Sequence, residues 1–422
     1  MTGNREKDSS AWVKLLCLYT FASLVETIFY GQFGAFTPLY LPKLGIQPAD
    51  IARWTGLIAA ATGLVGLPLL PFWGALADRF SRKPVIIRSF TIELLAGLIA
   101  IAASNIWVFL LGRVITSLAL GNSGLMMTTL AERAPSNRQG LAFSIMNTAG
   151  PLGIFLGPLI GGPIIDHWGF RTLLAIDAAL LAIVVLALAT GYRDSFKGSQ
   201  RQPLLRMAGD SIKIILQSAR LRTLFPALFM LFAGWMLALS YVTLAIKQLY
   251  SGPNLGTIVG FVLGAGGLVA LVLTPLFGGL ADRYGMWRLL LAGAVVEVIL
   301  WPLPALTHGL TGFGIAWALI NGLGSGVFAL SFSVLAQSAE ENTRGRVMSF
   351  AFLPVNMGLF LGPAIGSLIT KVSVFAIFPA AAVFTAIGIG LLLLARRQPV
   401  ESQAPVPVLL IEQSLPCLNK DC

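Results

Sequence analysis

From Trp12 to Ala395 the chain alternates between apolar stretches of about 20 residues and short polar loops. Each stretch is long enough to cross a bilayer as a helix, and far longer than the ~10-residue alternating strands of a membrane barrel. The pattern predicts twelve spans, at about 12–36, 54–77, 84–103, 106–130, 141–165, 171–191, 223–246, 256–281, 288–306, 313–336, 346–369 and 374–395. The expected fold class is all-α, a polytopic membrane protein with twelve transmembrane helices.

Two motifs recur at a nearly constant offset. Gly74-Ala75-Leu76-Ala77-Asp78-Arg79-Phe80 returns as Gly278-Gly279-Leu280-Ala281-Asp282-Arg283-Tyr284, with 282 − 78 = 204. Gly153-Ile154-Phe155-Leu156-Gly157-Pro158 returns as Gly358-Leu359-Phe360-Leu361-Gly362-Pro363, with 358 − 153 = 205. The chain thus reads as one six-helix unit written twice, giving two parallel halves related by an axis along the membrane normal. The expected division is 12–191 for the N-terminal half, 192–222 for a middle loop, 223–395 for the C-terminal half and 396–422 for a polar tail. In the middle loop, Leu205, Ala208, Ile212, Ile215 and Ala219 recur at helical spacing beside Arg206, Lys213 and Arg220, which predicts a basic amphipathic helix on the membrane surface. The proline-rich tail predicts disorder.

Composition strengthens the membrane assignment. Hydrophobic residues make up 56% of the chain and charged residues 11%, against about 25% charged in a soluble domain. The net charge of +11 does not point to nucleic acid, because the basic residues gather in alternate loops. Arg79, Arg82, Lys83, Arg133, Arg138, the middle loop, Arg283, Arg288, Arg396 and Arg397 fall on the side of the termini. By the positive-inside rule both termini are expected to be cytoplasmic. Cys17, Cys417 and Cys422 offer no disulfide framework or metal spacing, and no cofactor or metal is expected. His167 and His308 fall at outer edges, which disfavours a membrane-embedded hydrolase.

Ionisable residues inside spans are costly and are functional candidates. Glu26 lies near the middle of the first span with Tyr30 and Phe33 at helical spacing. A carboxylate among aromatics suits a cationic or amphipathic solute, or a carried proton. Arg113 in the fourth span is a partner for Glu26 or for substrate, or else a permanent structural cation. Asn321, Ser325, Ser331 and Ser333, with Trp235 and Tyr241, would complete a cavity from the second half or act as helix–helix glue. Glu93 and Glu297 are repeat equivalents (297 − 93 = 204) on the third and ninth helices and read as structural, linked to Arg88 and Arg288. Asp177, in the sixth span, has no assigned role.

The charged turn with Gly74, Leu76, Ala77, Asp78, Arg79, Arg82 and Lys83 resembles the loop between helices two and three of the major facilitator superfamily, with Ser81 where the family pattern has glycine. The second copy keeps Gly285 but has Met286 and Trp287 in place of the Arg-Lys pair. Gly153, Gly157, Pro158, Gly161 and Gly162 resemble the family's antiporter motif, associated with proton-coupled exporters. Arg113 stands where the family has an arginine in the fourth helix, with Thr116 and Ser117 in place of the usual Gln-Gly.

The resemblance implies a monomeric, proton-coupled exporter of a small amphipathic or drug-like molecule, of the multidrug type, in the plasma (inner) membrane. Its partners are substrate, protons and the lipid bilayer, its cavity is lined by the first, fourth, seventh and tenth helices, and an uptake permease is the alternative. Gly74, Asp78, Arg79, Arg82, Asp282 and Arg283 are expected to latch the halves on the cytoplasmic side. Asp78 would face the start of the eleventh helix and Asp282 the start of the fifth, since a carboxylate at a helix N-terminus is favourable. Gly153, Gly157 and Gly161, four apart, with Pro158 bending the helix, are expected to form either a smooth pivot between halves or a site of tight static packing.

Overall fold

The computed structural model describes residues 2–69, 81–119, 122–135, 138–191, 213, 215–340, 347–348 and 350–399. Among these, eleven helices are long and apolar enough to cross a membrane, and a shorter apolar helix takes the remaining predicted place. In chain order they are α1 (Trp12–Leu44), α2 (Pro48–Leu69), α3 (Arg82–Ala102), α4 (Ile106–Arg133), α5 (Leu141–Trp168), α6 (Phe170–Gly191), α7 (Ala219–Leu249), α8 (Leu255–Tyr284), α9 (Met286–Leu306), α10 (Leu310–Ser338), the shorter α11 (Leu353–Ile369) and α12 (Val374–Arg397). No strand occurs among the described residues. Lipid supplies no hydrogen bonds, so each apolar run must satisfy its backbone internally as a helix. Gly74, Asp78 and Arg79, residues 400–422 of the tail, and most of the expected surface helix lie outside the described residues. Arg220 and Arg222 belong to α7 rather than to the loop, because Ser218 caps that helix by accepting from Leu221 N at 3.4 Å.

The halves are built alike. α1 packs on α5 as α7 packs on α11, and α3 packs on α4 and α6 as α9 packs on α10 and α12. Between halves the main contacts are α5 with α8 and α2 with α11, which exchange under the repeat.

These contacts lie toward one end of the bundle, the far face, where Tyr40, Trp168 and Leu255 lie. There Tyr241 Oη donates to Pro363 O (2.7 Å) on α11 and lies 3.2 Å from Ala52 O on α2. Thr243 Oγ1 donates to Ala35 O at 2.7 Å, tying α7 to α1. At the opposite end, the terminal face, Leu141, Leu280, Tyr284 and Phe352 are exposed. The hydrogen bonds of Tyr241 and Thr243 all lie on the far side of the midplane. Among the described residues, the halves are joined at the far face.

The two charged turns are made differently. Gly285 sits at φ +89°, a left-handed conformation that favours glycine, and it carries the chain from α8 into α9. Ser81, at the matching place, is extended at φ −171° and ψ 148°. The serine that departs from the family pattern therefore stands where the backbone does not ask for glycine.

Candidate functional site

Burial in α1 sets up the site. Its face toward α3, α4 and α6 carries Phe29 and Phe33, which pack in a ladder with Phe109, Phe170 and Tyr40. Glu26 lies one turn from Phe29 and is buried at 7% exposure. Asn122 of α4 donates from Nδ2 to Glu26 Oε1 at 3.0 Å. Glu26 Oε2 is buried and accepts no hydrogen bond. Glu93 of α3, fully buried, brings its carboxyl within reach of Glu26 and of the Tyr30 hydroxyl. Tyr30 lies beside Glu93, with its hydroxyl 3.4 Å from Thr116 O.

Arg113 borders this cluster without pairing with Glu26. Its guanidinium lies 4.5 Å from the centroid of the Phe33 ring, and its Nε and Nη1 are buried without hydrogen-bond partners. Of the roles open to Arg113, pairing with Glu26 is not the one taken here: the contacts are Glu26–Asn122 and Arg113–Phe33. A flat guanidinium is weakly hydrated and suits an aromatic face. Phe33, at 1% exposure, is a core residue that carries Arg113, not the wall of an open cavity.

The second half repeats only part of this arrangement. Glu297 of α9 is buried, and its Oε1 would lie 2.8 Å from a Cβ added at Gly324 of α10, a point also close to Trp235 Nε1 of α7. Asn321 is fully buried in the α8–α10 seam against Gly266, and its Nδ2 donates to Trp317 O of its own helix at 3.2 Å. The Asn321 Oδ1 is buried without a partner, while Tyr241 joins the far-face closure. A groove of about 450 Å³ runs along α3 past Lys83, Ile87, Arg88 and Thr91, and none of the cluster residues lines it.

The glycine seam of α5 lies inside one half. A Cβ on Gly157 would lie 2.7 Å from Ile28 O, and one on Gly161 would lie 3.0 Å from the Phe36 ring, so both face α1. Gln32 of α1 donates to Gly157 O at 3.1 Å beside Pro158. Of the two readings open for Gly153, Gly157 and Gly161, this geometry favours tight packing, since they let α1 and α5 approach closely. The face toward the other half is the next one round, where Phe155, Leu159 and Gly162 meet Gly267, Gly264 and Gly256 of α8.

Arg82 is also held within one half. Its Nη1 and Nη2 bond Glu132 Oε2 and Oε1 at 2.7 and 2.8 Å. This fork geometry ties the start of α3 to the end of α4 and leaves Arg82 unavailable as a cross-half latch. Asp282 and Arg283 are exposed and form no ion pair among the described residues. In this conformation Asp282 is exposed rather than held at the start of α5. The polar lock that is present lies at the far face. Asp166 of α5 accepts from Gly256 N (2.9 Å), Thr257 N (2.7 Å) and Thr257 Oγ1 (2.7 Å) at the start of α8. Asn254, just before α8, is left-handed at φ 60° and makes no cap bond of its own, so the cap comes from the other half.

A sequence profile described as Major Facilitator Superfamily matches residues 15–300 and 252–415. The chain belongs to the major facilitator superfamily. This superfamily member is 28% identical over 335 residues to "Multidrug resistance protein MdtG" of Klebsiella pneumoniae, covering 79% of this chain and 81% of that protein. It is 30% identical over 340 residues to a "Multi-drug resistance efflux pump PmrA homolog" of Lactococcus lactis, covering 79% and 82%. Its fold matches the crystal structure of the nucleoside transporter NupG with a TM-score of 0.72 at 15% identity, over 92% of this chain and all of that one. Membership makes the protein a multi-pass membrane transporter of a small-molecule substrate, of a family of transporters rather than enzymes, as the resemblance of the charged turn and the glycine motif implied.

Sequence reasoning missed Asn122, Glu132 and Asp166, and did not foresee that Glu93 lies beside Glu26. For Glu93 a signal was present, since a buried acid repeated at the same place in both halves called for a partner inside the bundle. For Asp166 there was none, because its partner is backbone.

Proposed function

We propose that this transporter exports an amphipathic, drug-like molecule in exchange for protons, by alternating access across the plasma (inner) membrane. The observation that carries the reading is the carboxyl of Glu26, buried mid-bundle, held on one oxygen by Asn122 and bare on the other. A carboxyl so placed can hold a proton or an organic cation but not both, and that exclusivity couples the two movements. The aromatic surroundings of Glu26 favour an apolar, flat or cationic solute over a polyhydroxylated one. The printed names of the relatives agree in direction, being efflux and multidrug resistance proteins. The basic loops favour cytoplasmic termini, so the far face at which the halves are joined would be the outer one. The protein would act as a monomer, with 12–191 and 223–395 as its rocking halves.

The test is pH-gradient-driven efflux from proteoliposomes against a panel of amphipathic cations and neutral drugs, with Glu26→Gln alongside. The unmutated protein is expected to move at least one compound against its gradient when the pH gradient is imposed. Transport indifferent to the pH gradient would overturn the exchange reading, and net accumulation in the opposite sense would favour uptake.

A further inference from the structure

The second half is a natural control for the first. The packing of Gly157 on Ile28 and of Gly362 on Ala233 sets α1 against α7 at an offset of 205 (233 − 28). On that offset Tyr30 corresponds to Trp235, and Glu93 corresponds to Glu297 at 204. Each half thus brings an acid from its third helix to an aromatic on its first. Only the N-terminal half adds a second acid: Glu26 corresponds to Leu231. Only the N-terminal half adds a cation at the border: Arg113 corresponds to Trp317 at 204.

Glu26 Oε2 and both oxygens of Glu93 are buried, and the two carboxyl groups lie within reach of one another, with the Tyr30 hydroxyl beside Glu93. Two carboxyl groups at this range in a water-poor interior do not both stay ionised, and a proton placed between them satisfies both. With Arg113 at the border, two acids and one cation leave a single excess negative charge, which one proton removes.

We propose that Glu26 and Glu93 act as one proton-holding unit, sharing a single exchangeable proton, and that Glu93 is the positioning partner that makes Glu26 the coupling residue. The inference rests on the proton-exchange reading above and adds its stoichiometry. The proton enters the pair when the site faces one side. A monocationic solute arriving on the other side takes its place against the same single charge, and the proton leaves to water. One charge is exchanged for one charge, so monocation export through this site is electroneutral.

Other ionisable groups on the helices packed around the pair are few. α1 adds Tyr19 and Tyr30, α3 adds Arg88, α4 adds Arg113, and α6 adds Asp177, whose Oδ2 is buried without a hydrogen-bond partner. Asp166 and His167 of α5 lie at the far face. Asp177 is therefore the group whose titration must be separated from that of the pair.

Infrared pH-difference spectroscopy of the purified protein in lipid makes that separation without a transported substrate. It follows the carboxyl C=O stretch in the unmutated protein, in Glu26→Gln, in Glu93→Gln and in the double variant, with Asp177→Asn as the reference for the bystander acid. If the acids share a proton, removing either one moves the titration midpoint of the other by about one pH unit or more, while Asp177→Asn only subtracts its own band. Glu93→Asp keeps the acid and is expected to retain coupled titration, which guards against misfolding of the amide variant. Two independent titrations, each single variant leaving the other midpoint in place and the double equal to the sum, would overturn the proposal. That result would leave proton exchange through Glu26 standing, because loss of exchange itself is read by the proteoliposome assay. In that assay, with tetraphenylphosphonium as probe, an imposed membrane potential without a pH gradient is expected to drive no export, and potential-driven export would also overturn the one-for-one stoichiometry.

Discussion

Single side chains here are decided by whether a neighbour can reach them. Arg82 is buried and Glu132 half exposed, yet the two meet through both guanidinium nitrogens. Arg82→Lys keeps the charge but loses the fork, and is expected to lower the detergent melting temperature by a few degrees, from a loss of about 1 kcal/mol after screening at the exposed carboxylate. A melting curve that does not move would show that the pair sets only the local path of the chain. Gly157 and Gly150 on the same helix make a cleaner contrast. A Cβ at 157 collides with the Ile28 carbonyl, whereas at 150 it meets nothing within 4 Å. Gly157→Ala is expected to cost about 1–3 kcal/mol and to reduce folded protein in membranes, and Gly150→Ala to leave both unchanged. Equal yields of the two variants by fluorescence-detected size exclusion would remove the close approach of α1 and α5 as a source of stability.

At the level of elements, helix ends explain more than helix faces. α4 caps itself through Asn105, which accepts from Trp107 N and Val108 N at 3.0 and 3.1 Å. α8 has no such residue and borrows Asp166 from α5. A cap borrowed across the interface exists only while the far face is closed, so it biases the equilibrium between conformations. Asp166→Ala is expected to weaken the closed far face by about 1–2 kcal/mol, a five- to thirtyfold shift in population. Spin labels at the far ends of α5 and α8 would report it as a longer distance population. An unshifted distance distribution would mean that Tyr241 and Thr243 hold that face by themselves. The repeat does not supply a second copy of this lock, since the residue matching Asp166 at 205 is Lys371.

For the whole molecule, the conformation decides which motif is engaged. The halves meet at the far face, and the acid of the second charged turn, Asp282, stands free in solvent. A latch made only in the opposite conformation predicts that Asp282→Asn slows transport while leaving the melting temperature of this conformation unchanged. Asp78→Asn, in the copy with the richer set of basic residues, is expected to slow transport more. Normal transport by both variants at equal membrane levels would dismiss the latch.

The number of helices, their order, the doubling of the chain and the family were all readable from the sequence. A span of about 20 apolar residues has few alternatives in lipid, and two motifs at offsets of 204 and 205 survive without any knowledge of packing. Glu26 as a central acid was readable for the same reason, because a charge in a span is conspicuous wherever it points. Its partner was not readable. Whether Arg113 or Asn122 reaches Glu26 depends on how α4 is rotated and on Phe33 offering a better surface for the guanidinium. Periodicity gives a helix a face but not the angle at which a neighbour meets it. The same holds for Glu93, which sequence placed on a peripheral helix and tertiary packing turned inward beside Glu26. It also holds for the α5 glycines, whose spacing promised a close neighbour that only the assembled bundle identified as α1. The membrane determines the elements one at a time, so sequence suffices for them, whereas a site shared by three helices depends on their mutual rotation and exists only once they have packed.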